Sequence, residues 1–193
     1  MGSKLRKKTN KPVKSDSDWD KRVSNTKKLI EESYYNLRLI SYQILHDKFG
    51  FGQKRIIRLE QTMDELRASR EEVGLSSEDM IGYINRKYKI DVKAEVNVVP
   101  FRERFALIRY KINADSQQSA GMYLLGSICD YFIFLGVVLR EQFKFSPRQI
   151  KEVYGWIRYY INTLSRQKQF ELTIKDIAEC LMDEVKYCDA RFI

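Results

Sequence analysis

Apolar residues along this chain recur at three- and four-residue steps over long stretches, the spacing of helices with one buried face. Ile30, Leu37, Ile40, Ile44 and Leu45 predict a first helix beginning near Asp18 or Ser24 and running to about Lys48. Phe49-Gly50-Phe51-Gly52 ends it, since glycine suits the left-handed position just past a helix. Ile56, Leu59, Met63 and Leu66 predict a second helix from about Gln53 to Val73, and a third follows from Ser77 to Tyr88. Ser76 and Asp79 stand at capping-box spacing before it, with Asp in place of the usual Glu or Gln.

The same paragraph is then written again. Leu45 to Ile56 (LHDKFGFGQKRI) reappears as Leu139 to Ile150 (LREQFKFSPRQI), 94 residues later. Leu75 to Met80 (LSSEDM) reappears as Leu172 to Ile177 (LTIKDI), 97 residues later, so three residues separate the two offsets. In the second copy a helix is predicted over roughly 118–142. Ser146-Pro147 then opens another, with the hydroxyl as N-cap and the proline where a missing N–H costs nothing. Thr173 and Asp176 repeat the cap spacing before a last helix with Ile177, Leu181 and Val185. Self-similarity at a fixed offset predicts repeated structural units.

Between the copies Val92 to Val98 alternates with period two, as a half-buried strand does. Ala106 to Ile112 is the expected partner, with Pro100 to Arg104 as the turn, and a helix starting at Pro100 competes with this hairpin. The expectation is therefore a mainly α fold: a basic arm (1–17), a three-helix unit (18–90), a hairpin linker (91–116) and a second three-helix unit (117–193). The two units are expected to be related by approximate twofold symmetry.

Charge changes the picture in one place. The formal net charge is +9, yet residues 1–28 hold ten Lys/Arg against three Asp. Lys4, Arg6, Lys7, Lys8, Lys11 and Lys14 precede the first acid, Asp16, and almost no apolar residue accompanies them. Such a segment neutralises phosphates without reading sequence, or only solubilises. Lys54, Arg55 and Arg58, with Arg148 at the position matching Lys54, are expected to extend a positive surface. The apolar run Met122 to Leu139 carries Asp130 at its centre and is read as a buried helix rather than a membrane span. Three cysteines without CxxC spacing fit a reducing cytoplasm.

Catalytic patterns are sparse. His46 is the only histidine, which excludes multi-histidine metal sites, and its place in a last helical turn suits the helix dipole. Gly50-Phe51-Gly52 lacks the Lys-Ser/Thr of a phosphate loop and follows a helix rather than a strand. Glu71-Glu72 and Asp183-Glu184 read as solvated faces, and Asp91 with Glu95 forms no nuclease pattern. Leu172 to Glu179 resembles the opening helix of a helix-turn-helix reader without the recognition helix.

The string Leu45 to Arg55 resembles a segment of small uncharacterised proteins of phages and mobile elements of Firmicutes, in which an LHxKFGFGxxR run joins two helices. The resemblance covers the first copy only and transfers no functional residue. It implies an accessory protein acting in the bacterial cytoplasm, a setting that includes antagonists of host defence such as inhibitors of CRISPR nucleases. The expected function is non-catalytic and cofactor-free binding of nucleic acid or of a nucleic-acid-handling host enzyme. A protein-only adaptor and a carboxylate-metal nuclease or hydrolase are the rivals.

Overall fold

The structure, a computed structural model, describes residues 16–188 of the chain. It is mainly helical, with no strand among the described residues. The helices are α1 (Asp16–Phe49), α2 (Gln53–Val73), α3 (Ser77–Tyr88), α4 (Val92–Asn97), α5 (Ala114–Glu141), α6 (Pro147–Ser165), α7 (Gln167–Phe170) and α8 (Ile174–Cys180). A 3-10 turn (Glu103–Leu107) precedes α5, and a π-helical turn (Leu181–Val185) follows α8.

α1 and α5 lie side by side at the centre. Leu37, Ile40, Ile44 and Leu45 of the predicted α1 stripe are buried and Ile30 partly, but Ser33, Asn36, Leu39, Ser41 and Tyr42 on its other sides are buried too. α5 is likewise covered all round from Tyr131 to Leu135. A helix buried on every side needs neighbours on every side. They come crosswise: α2, α3 and α4 pack on α5, whereas α6 and α8 pack on α1. Small side chains bring the two central helices together, where the Ser33 and Ser127 hydroxyls hydrogen-bond at 2.6 Å. Tyr34 meets the edge of Tyr131 beside them. At Gly136 a side chain is excluded, because a Cβ there would stand 2.2 Å from the Tyr154 hydroxyl, which donates to the Phe132 carbonyl. α5 is long and apolar enough to cross a membrane by length and composition; here its apolar side chains Leu124, Ile128, Ile133 and Leu139 are buried within the protein.

The predicted caps form. Ser76 with Asp79, Ser146 with Gln149 and Thr173 with Asp176 each close a reciprocal capping box. Their hydrogen bonds from Ser76 and Thr173 hold the Asp79 and Asp176 carboxyls below the ordinary carboxylate range.

The hairpin does not exist. Val92–Asn97 is helix α4, started by the Asp91 carboxylate, which accepts from the Ala94 N–H at 3.0 Å. Val92, Val96 and Val99 are buried at helical steps, whereas Val98, the fourth member of the supposed alternation, is 61% exposed. The expected second strand begins in the 3-10 turn and continues without ladder partners. The competing expectation, a helix from Pro100, is met only by this short turn. Side chains fasten the segment to the helices around it: Arg158 pairs with Glu95, Asn162 donates to Glu103 at 2.6 Å, and Asn36 donates to the Leu107 carbonyl at 3.0 Å.

Candidate functional site: the paired helix corners

The two repeated corners meet. At the first, the Phe51 N–H returns to the Leu45 carbonyl at 3.0 Å, with Gly50 left-handed at φ 63°. At the second, the Phe145 N–H returns to the Leu139 carbonyl at 3.0 Å, with Lys144 left-handed at φ 61°. This closure, which returns to a carbonyl six residues back, satisfies a group that a helix end leaves open. His46 Nδ1 lies 2.9 Å from the Phe51 carbonyl, and Arg140 donates to the Phe145 carbonyl at 2.9 Å, so the same bridge is built with different side chains. The four rings then interleave, Phe49 with Phe145 at 5.0 Å and Phe51 with Phe143 at 4.9 Å between centroids. This packing places the starts of α2 and α6 at one end of the molecule.

That end is positive. Lys54, Arg55, Arg58, Lys144 and Arg148 are exposed, and among the described residues none of them forms an ion pair. Arg55 lies 3.8 Å over the Phe51 ring, and both Arg55 and Arg58 reach Phe143 of the other corner. Arg58 also donates to the Gln142 side chain at 2.9 Å. Aromatic faces hold guanidinium groups in place without neutralising them. The neighbouring acid Glu141 is engaged by Lys87 and Tyr88. Lys48 sits 4.6 Å over the Trp156 ring, and α6 continues the surface with Tyr159, 58% exposed, and Tyr160.

Sequence reasoning found Lys54, Arg55, Arg58 and Arg148, and the structure brings their two helix starts together. It missed Lys48, Lys144, Trp156 and Tyr159. The three- and four-residue spacing of Trp156, Tyr159 and Tyr160 on one flank of α6 was the available signal. Lys4, Arg6, Lys7, Lys8, Lys11 and Lys14 lie outside the described residues. The point where they join α1 is roughly 50 Å from the corner, at 1.5 Å per helical residue.

Other candidates resolve into structure. Gly50 serves the helix end, Asp91 caps α4 and Glu95 pairs with Arg158. α8 passes directly into the π-helical turn, with no recognition helix among the described residues. A cleft of about 340 Å³ is lined by Tyr34, Arg67, Arg70, Glu71, Ser127 and Asp130. Its cations are consumed internally, Arg70 by Asp130, Ser77 and the Leu75 carbonyl, and Arg67 by Glu71. His46 and Glu184 depart from their expected isolation, because Nε2 stands 3.4 Å from the Glu184 carboxylate. No protein family, curated protein or solved structure matches this chain at a significant level.

Proposed function

We propose that this chain is a non-catalytic nucleic-acid-binding protein and that the paired corners are its contact surface. The observation that carries the reading is the group of exposed cations outside any ion pair at two helix corners held together by four phenylalanines. Phosphates are the complementary charge, and their neutralisation releases counterions. Trp156 and Tyr159 add flat faces beside Lys48, on which unpaired bases can stack. The resemblance of the first corner to proteins of phages and mobile elements supports an accessory role, with a host nucleic-acid-handling enzyme as an alternative partner.

The test is binding of the full chain to duplex and single-stranded DNA and RNA across a salt series. Changing Lys54 and Arg148 together to alanine should lower the magnitude of the log–log salt slope on duplex by about 1.8, at about 0.9 per lost phosphate contact. Deleting residues 1–14 should lower the slope as well. Sequence preference should not change, because phosphate contacts position rather than specify. Unchanged affinity and slope in both variants would leave a protein-only adaptor as the better reading.

We also propose that the two units are copies related by an approximate twofold axis. The contacts support this: Phe49–Phe145 and Phe51–Phe143 exchange under the 94-residue offset, and Ser33–Ser127 maps onto itself. α2 on α5 likewise exchanges with α6 on α1. Equivalent corners should accept each other's residues. A left-handed non-glycine residue costs about 1–2 kcal/mol, partly offset by the entropy glycine gains when unfolded. Lys144→Gly should therefore stabilise the protein by up to about 1 kcal/mol in a urea melt. A clear loss of stability would show that the corners are not equivalent.

A further inference from the structure

We propose that His46, Asp47 and Glu184 form a binding site for one divalent transition ion of the Zn²⁺ class, clamping the C-terminal π-helical turn to the end of α1. Their ligand atoms all lie within 4.8 Å of one another. The imidazole is already oriented for the task. Its Nδ1 faces the Phe51 carbonyl at 2.9 Å, and a carbonyl only accepts, so Nδ1 carries the proton. In the neutral ring Nε2 is then a bare lone pair, aimed at a carboxylate oxygen 3.4 Å away. Two electron-rich atoms face each other, and a cation belongs between them.

A proton on Nε2 would make an ordinary ion pair, but the surroundings ask for more than one positive charge. Asp47 contributes a second carboxylate to the group. Gln43, only 6% exposed, turns its amide into the same place: Nε2 donates to Asp47 Oδ1 at 2.8 Å, while the buried Oε1 has no partner. The Cys180 thiol belongs to the same neighbourhood, its pKa raised by burial and by the nearby Glu184 carboxylate. Two donors on one tetrahedral ion at about 2.0–2.1 Å stand roughly 3.4 Å apart, the spacing seen here between His46 and Glu184. A histidine whose other ring N–H rests on a backbone carbonyl is the usual supporting arrangement for such a ligand. The imidazole selects against Mg²⁺ and Ca²⁺, which prefer oxygen-only shells, and a water completes the coordination.

The experiment is calorimetric titration of ZnCl₂ onto the full chain after treatment with a chelator, under reducing conditions. One ion per chain is expected. His46→Ala and Glu184→Gln should each weaken binding by at least roughly tenfold, and Gln43→Leu, which removes the hydrogen bond to Asp47, by roughly 10–100-fold. Zn²⁺ should raise the melting temperature of the parent chain and not that of Glu184→Gln. That change removes a charge from an exposed side chain, so its metal-free melting should match the parent. Absence of saturable binding, or equal binding by His46→Ala and Glu184→Gln, would overturn the site and leave His46 and Glu184 as a simple ion pair. Neither result bears on the salt dependence of nucleic-acid binding, so the two proposals fail separately.

Discussion

Replacing Phe51 with alanine is expected to destabilise the protein by about 3–5 kcal/mol, the range for deleting a fully buried aromatic ring. Against a typical total of about 5–15 kcal/mol this approaches unfolding. Phe51 has no exposed surface, touches Phe143 and Phe145, and carries Arg55 on its face. Its removal therefore opens a cavity where the two corners meet and also frees a guanidinium proposed to contact phosphate. Phe49, only partly buried, should cost clearly less when changed in the same way. Chemical denaturation of both variants checks this: the midpoint should fall with little change in slope. A loss below about 1 kcal/mol for Phe51→Ala would mean that the corners do not bear on stability.

Arg38→Ala should cost about 3 kcal/mol. Arg38 is 8% exposed and lies beneath α2, where it donates to Glu60 at 3.1 Å and pairs with Asp64. Removing one partner of a buried pair leaves the other charge unmatched, a loss of about 3–5 kcal/mol when both are enclosed. The lower end applies because Asp64 is 55% exposed and can be rehydrated. The arginine also faces the phenols of Tyr34 and Tyr42, whose hydroxyls are buried without partners, and burial pushes the Tyr34 phenol up to about 12. Arg38→Met should lose less than Arg38→Ala, because it refills the volume. Thermal melts of the two variants separate charge from packing, and equal losses would assign the whole effect to the lost charge.

Local signals survived the passage from sequence to structure. The caps at Ser76, Ser146 and Thr173 depend on residues three apart, and nothing distant competes with them. Val92 to Val99 failed because its valines satisfy a two-residue and a four-residue period at once. The Asp91 cap and the packing of Val96 against the neighbouring helices decided for helix, a tertiary choice. α1 was legible as a one-sided helix only, since burial of Ser33 and Asn36 follows from how α5 and the 3-10 turn cover it. The basic corner was half legible. Lys54 and Arg148 announce themselves by matching positions, but their shared surface exists only through the phenylalanine pairs. The meeting of His46 and Glu184 was invisible, because nothing local in either helix refers to the other.

The crosswise packing of the helices constrains the order in which the chain can be built. Chains leave the ribosome N-terminus first, and domains commonly fold as they emerge. Here α1 emerges early with an apolar surface covered mainly by α5, α6 and α8, so the first three helices have no complete core of their own. Completion of that core waits for α8 and the turn after it. Until then the nascent chain carries exposed leucine, isoleucine and tyrosine side chains, a stretch of vulnerability that a pair of independently folding modules of the same length would not have.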